Sequence, residues 1–168
     1  MIERRPVIAV CGAGRESPEL ATLAEATGRL IAEAGAVLVC GGLGGVMAAA
    51  ARGAAEAGGL TVGVLPGRLA SDANEWIALP LPTAMGEGRN VLVVRFADAV
   101  IAIGGEWGTL SEIALAQKIG RPVILLEPSA TAAHLGIQIA PDPETAVEAA
   151  LAAWKRRNPR WSPPLASP

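Results

Sequence analysis

This chain has little of what most catalytic or scaffold chemistry needs. There is no tyrosine, one phenylalanine and one histidine among 168 residues, and aromatics make up only 3%. The interior must therefore be filled by Ala, Val, Leu and Ile. The lone His134 has no identifiable catalytic partner, which removes support for acyl transfer by a nucleophile–histidine pair. Two cysteines are too few for a disulfide scaffold and agree with a reducing compartment. They also lack companion ligands, so no metal site is read. The net charge is −2, which leaves no electrostatic footprint for nucleic acid. No apolar run approaches the roughly 20 residues that span a bilayer, so no membrane partner is expected. Glu3-Arg4-Arg5 and the run Val7 to Cys11 imitate a signal peptide faintly, but Arg15-Glu16 stands where small cleavage-site residues belong. The expectation is a cytoplasmic protein with one domain over residues 1–154 and a proline-rich tail from Lys155 to Pro168. No fixed-period repeat is present.

What the chain does have is alternation of strand-like and helix-like segments. Val7 to Cys11 reads as a buried strand, and Ser17-Pro18 as an N-cap followed by proline at the first helical position. That helix runs to about Glu33 and stops at Gly35. Val37 to Cys40 is the second strand, Val46 to Ala57 an Ala-rich helix, and Thr61 to Leu65 the third strand. Trp76 to Leu79 is read as a short strand bounded by prolines, and Gly86 to Ala97 as a mostly buried helix. Ala99 to Ile103 and Val123 to Leu126 are further strands, with a helix from Thr109 to Lys118 between them. Ile137 to Ala140 and Pro143 to Trp154 supply a small strand and a final helix. The pattern predicts an α/β, Rossmann-like doubly wound fold, a mainly parallel sheet with helices on both faces. In such a fold the ligand sits outside the carboxyl ends of the strands.

Three glycine-rich turns fall at that edge. Gly12 and Gly14 follow the first strand, but Ser17 stands where a dinucleotide fingerprint wants its third glycine. No carboxylate follows the second strand to hold a ribose, which argues against dehydrogenase chemistry. Gly41, Gly42, Gly44 and Gly45 exceed what a simple turn requires and suit close approach of a phosphate or sugar; close helix-on-strand packing would explain one or two of them. Gly104, Gly105 and Gly108 precede a helix whose N-cap is read as Thr109. Glu112 then falls at N3, the spacing of a capping box. The same carboxylate suits stabilisation of positive charge at a ribose C1 during glycosidic cleavage. Both readings stand. Arg89 opens an apolar helix, where a phosphate or carboxylate partner explains the charge better than exposure does. Trp107 is placed either to stack on a base or to pack against a subunit.

Gly41-Gly42-Leu43-Gly44-Gly45-Val46-Met47, Gly86-Glu87-Gly88-Arg89-Asn90 and Gly104-Gly105-Glu106-Trp107-Gly108-Thr109-Leu110-Ser111-Glu112 together resemble the SLOG superfamily. That group includes proteins labelled lysine decarboxylase-like, the Lonely Guy phosphoribohydrolases and the molybdenum cofactor carrier proteins. The similarity runs over roughly residues 6–127. It implies a Rossmann-like nucleotide- or phosphate-binding protein, a homodimer, tetramer or other homo-oligomer, with a phosphorylated small molecule as ligand. Gly12, Gly14, Gly41, Gly42, Gly44, Gly45, Arg89, Asn90, Gly104, Gly105, Gly108 and Thr109 are the implied binding residues. Lonely Guy enzymes carry Pro-Gly-Gly-x-Gly-Thr-x-x-Glu and an Arg-Lys pair. Here Ile103 replaces the proline, one extra residue precedes Gly108, and Asn90 follows Arg89. These forms look closer to the molybdenum cofactor carrier-like branch. The implied ligand is molybdenum cofactor as cargo or a nucleoside monophosphate; were the chain an enzyme, Arg89 and Glu112 match the catalytic Arg and Glu.

Overall fold

The computed structural model describes residues 4–158. In chain order these form β1 (Val7–Gly12), α1 (Pro18–Glu33), β2 (Val37–Cys40), α2 (Val46–Glu56), β3 (Thr61–Leu65) and β4 (Leu79–Pro82). Then come α3 (Asn90–Phe96), β5 (Ala99–Ile103), α4 (Trp107–Lys118), β6 (Val123–Leu126), α5 (Ala130–Ala133), β7 (Gln138–Ala140) and α6 (Pro143–Arg157). Short 3₁₀ turns occupy Ala70–Asp72 and Gly86–Arg89. The seven strands form one sheet in the order β4-β3-β2-β1-β5-β6-β7. Every pairing is parallel. The Rossmann-like reading thus holds, and the strand order reverses between β1 and β5.

Parallel strands covered on both faces need apolar side chains at every position, and alternate residues of each strand enter opposite cores. Ile8, Val10, Leu38, Ile101 and Ile103 pack with Ala24, Ile31, Ala50 and Ala146 of α1, α2 and α6. Ala9, Cys11, Val39, Val100 and Ala102 pack on the other face with Val93, Val94, Ile113 and Ala116 of α3 and α4.

Small residues let α1 and α2 approach closely. A Cβ at Gly28 would lie 1.9 Å from the Ala50 carbonyl oxygen, and one at Gly53 would lie 2.0 Å from that of Glu25. Both obstacles are backbone, so relief requires moving a helix. Gly28→Ala is expected to lower stability by about 2 kcal/mol despite alanine's better helix propensity. Chemical denaturation of the two proteins checks this; equal midpoints would mean the helices slide apart without cost.

Four segments differ from the sequence reading. The strand read at Trp76 to Leu79 lies instead at Leu79–Pro82, with Pro80 and Pro82 inside it. It is the sheet edge, paired only to β3, so the prolines' missing N–H groups are not needed. The helix read from Gly86 starts as a 3₁₀ turn and becomes α-helical only at Asn90. It is also less buried than expected, since Phe96 is half exposed. The one-turn helix α5 was not anticipated; Ser129 caps it by accepting from the Ala132 N–H. Finally, α6 continues through Lys155, Arg156 and Arg157 rather than ending at Trp154. Those cations suit the negative end of its dipole. Asn158 is the C-cap of this helix, and residues 159–168 of the expected tail lie outside the described residues. None of the described helices is long and apolar enough to cross a membrane.

Candidate functional site

The turns after β1, β2 and β5 meet at the point where the strand order reverses. They enclose a cleft of about 170 Å³, lined by Gly12, Gly14, Gly41, Arg89, Gly108 and Glu112 among others. The first turn of α4 forms one wall. Gly104 (φ 69°) and Gly105 (φ 154°) bend the chain sharply after Ile103, in conformations that side chains rarely adopt. The helix therefore begins at Trp107, with extended Glu106 as N-cap. Thr109 is not the N-cap, and the capping box read from the sequence does not form. Glu106 makes no side-chain cap hydrogen bond; it pairs at 2.6 Å with exposed Arg15. The N–H groups of Trp107, Gly108 and Thr109 are left without intrahelical acceptors, at the positive end of the α4 dipole.

Two polar groups beside this helix end are buried and unpartnered. Thr109 is 2% exposed, and its Oγ1 has no hydrogen-bond partner. Arg89 is 7% exposed, belongs to no ion pair, and its Nε is likewise unpartnered. The rest of the guanidinium is held. Nη1 donates to the Asn90 Oδ1, and Nη2 reaches the Gly41 carbonyl at 3.4 Å. Asn90 in turn donates to Ser111 Oγ at 3.2 Å, and Ser111 donates to the Gly108 carbonyl at 2.7 Å. A relay of side chains thus fixes the guanidinium against the first turn of α4. A buried cation left in this state costs free energy unless an anion joins it.

Glu112 lies one turn further along α4, 7% exposed. Without a capping role, no local backbone reason accounts for its burial. Its carboxyl is pushed up from 4.5 to about 7, mainly by burial and in part by Glu87, while Arg89 and the Cys11 thiol pull it down. Cys11 is raised well above its usual value, by burial first and by Glu112 next. Burial likewise raises Cys40, to about 12. Both thiols are therefore neutral near pH 7. They enter opposite cores, which bars them from pairing. Among the described residues no group of three or more His, Cys, Asp or Glu could hold a metal ion.

The twelve glycine-turn, Arg and Thr positions read from the sequence separate here. Gly12, Gly14, Gly41, Arg89, Asn90, Gly108 and Thr109 line the cleft together with Glu112. Gly42, Gly44, Gly45, Gly104 and Gly105 do not. Several of these glycines have packing reasons: a Cβ would lie 2.7 Å from Leu65 at Gly42, 2.3 Å from the Ala13 carbonyl at Gly45, and 2.7 Å from Leu20 at Gly104. Even Gly12, inside the cleft, is required by Val46 at 2.4 Å, and Gly41 by the Arg89 guanidinium at 2.5 Å. Of the glycines lining the cleft, Gly108 alone has nothing within 4 Å of its missing side chain, and Gly14 has only Met47, at 3.8 Å. Those two leave open space where a ligand would approach. Sequence reasoning missed Cys11, Leu43, Met47 and Glu87 as lining residues. Cys11 was detectable as the last strand residue before Gly12, at the carboxyl edge where ligands sit.

Comparison with known proteins agrees with this architecture. An uncharacterized protein of Archaeoglobus fulgidus is 45% identical over 140 residues, covering 83% of this chain and 91% of the relative. The molybdenum cofactor binding protein of the phototrophic bacterium Rippkaea orientalis superposes with a TM-score of 0.82 at 37% identity, covering 89% of this chain and 97% of that one. A Moco carrier protein of Chlamydomonas reinhardtii gives 0.83 at 32% identity, covering 91% and 99%. The family profile of SLOG cluster4 matches residues 5–155, a longer stretch than the motifs alone suggested. This chain belongs to the SLOG cluster4 family.

Proposed function

We propose that this protein binds a phosphorylated nucleotide- or pterin-type small molecule, as a carrier similar to the molybdenum cofactor carrier proteins. The observation that carries the reading is the pair of buried, unpartnered groups, Arg89 Nε and Thr109 Oγ1, beside the free N–H groups of α4. A phosphate seated there accepts from the helix end and from both side chains, and its charge offsets the guanidinium. The relatives from Rippkaea and Chlamydomonas carry molybdenum cofactor names, which makes that pterin the first cargo to try. Gly108 and Gly14, open above the cleft, leave room for the remainder of the ligand.

Thr109→Val tests the reading with little disturbance of shape. Valine removes only the unpartnered hydroxyl, so the empty protein is expected to melt at the same temperature or slightly higher. Affinity for inorganic phosphate and for molybdopterin, measured by calorimetry, is expected to fall about tenfold. Unchanged affinity with intact folding would overturn the reading.

A second reading, a nucleoside 5′-monophosphate phosphoribohydrolase, is favoured by one observation: Glu112 titrates near neutrality beside the cleft. A carboxyl with that value is poised for general acid–base work. Incubation with AMP and N6-substituted AMPs decides it. Base release that disappears in a folded Glu112→Gln variant supports hydrolysis, and no release across the panel rejects it.

A further inference from the structure

We propose that the ligand's ring lies outside the cleft and stacks on Trp107, which makes an aromatic heterocycle of purine or pterin type the recognised class. This rests on the phosphate reading above and extends it. Pockets for drug-sized ligands run about 300–1,000 Å³. The cleft, at about 170 Å³, is too small for a nucleotide-sized molecule once a phosphate is seated. A second depression of about 550 Å³ lies beside it, lined by Trp107, Ser129 and Thr131, and the two share Glu106 and Gly108 as walls. Nothing lies within 4 Å of the missing Gly108 side chain, so no side chain crowds the shared wall at that point. A ligand can therefore pass over Gly108 from one to the other.

Trp107 stands at that crossing, the first residue of α4, and is 85% exposed. Leaving an indole in water forfeits its burial, the largest apolar contribution any side chain offers. The neighbouring Gly105, at φ 154°, has the Ser129 side chain packed over it, 3.3 Å from where a Cβ would stand. Ser129 and Thr131 also line the depression, and their hydroxyls can meet the polar edge of a heterocycle. Stacking on an indole face needs only a π surface, so it accepts adenine, guanine or pterin alike.

The test compares AMP, GMP and ribose 5-phosphate against the wild-type protein, Trp107→Ala and Trp107→Phe. Wild type is expected to bind either nucleotide on the order of tenfold more tightly than ribose 5-phosphate, with quenching of tryptophan emission. Trp107→Ala should remove that advantage and leave ribose 5-phosphate affinity unchanged, while Trp107→Phe should restore most of it. Equal affinity of wild type for all three probes, or nucleotide affinity untouched in Trp107→Ala, would overturn the proposal while the phosphate site stands. Absence of binding by every probe, and by inorganic phosphate and molybdopterin, would defeat both readings. Sedimentation provides the remaining control: a smaller assembly for Trp107→Ala would mean that a second copy of the chain covers the indole, and the proposal would fail.

Discussion

Glu112→Gln is expected to stabilise the empty protein at pH 8 by about 3 kcal/mol, and not at all at pH 4. The carboxyl titrates at about 7 in the folded chain against 4.5 when exposed. Below pH 4.5 both folded and unfolded forms carry the proton, so the site imposes no electrostatic cost. Between the two values the unfolded chain loses its proton first, and stability falls as pH rises. Above pH 7 both forms are ionised and the whole cost of burying the charge is present. Glutamine mimics the protonated form and escapes that cost. At roughly 1.4 kcal/mol per factor of ten, the difference gives the figure quoted. For a chain of this size it corresponds to a rise of roughly 6–12 °C in melting temperature at pH 8. Thermal melts of both proteins from pH 4 to 8 check it. Parallel curves would show that Glu112 ionises as freely as an exposed carboxyl.

That expectation bears directly on function. A residue that destabilises the resting protein near neutrality is a candidate for contact with a ligand. Ionised, Glu112 would repel a phosphate; protonated, it can donate to one. Inorganic phosphate is therefore expected to bind more tightly to the wild type at pH 6 than at pH 8, with part of that difference abolished in Glu112→Gln.

Much of this fold could be read from the chain because parallel strands buried on both faces are nearly continuous apolar runs. Val7 to Cys11, Val37 to Cys40, Thr61 to Leu65, Ala99 to Ile103 and Val123 to Leu126 all read so. The edge strand β4 did not, since Leu79-Pro80-Leu81-Pro82 carries prolines that only an edge tolerates, and edge position is a property of the sheet. The start of α4 was misread for a related reason. Thr109-Leu110-Ser111-Glu112 has the spacing of a capping box, but the two positive-φ glycines before it start the helix before Thr109. Glycine count was equally ambiguous. Gly12 meets Val46 and Gly108 meets empty space, yet the two are the same letter in the sequence. Whether a glycine serves packing or a ligand depends on what lies opposite, which only tertiary structure supplies. Arg89 was better specified: a cation at the head of an apolar segment carries its need for a partner in the sequence itself.

Arg89→Met should lower phosphate affinity by at least about 30-fold, with no loss of stability in the empty protein at pH 4, where Glu112 carries its proton. The asymmetry follows from where the guanidinium is held. It makes contacts to Asn90 and Gly41 and faces no carboxylate within ion-pair distance; the charge it acts on is Glu112, so it has an opposite charge beside it only where Glu112 is ionised. Where Glu112 is protonated, removing the guanidinium relieves a buried cation; where Glu112 is ionised, it leaves that carboxylate uncompensated. Methionine keeps the apolar length that fills the space beside Gly41 and Met47. Binding suffers because the Nε donor and the only buried cation lining the cleft disappear together. Arg89→Lys is not expected to rescue it. One ammonium cannot reproduce two nitrogens held by Asn90 and Gly41 with a third left without a partner. The substitution also has an internal check, since Arg89 holds the Glu112 carboxyl down. Without it Glu112 should titrate above 7, so in the Arg89→Met background the stabilisation by Glu112→Gln should still begin near pH 4.5 but grow larger and level off at a higher pH. Calorimetric titration with inorganic phosphate and paired melts measure both effects. Retained affinity, or an unmoved Glu112 transition, would show that the guanidinium does not face the cleft in solution.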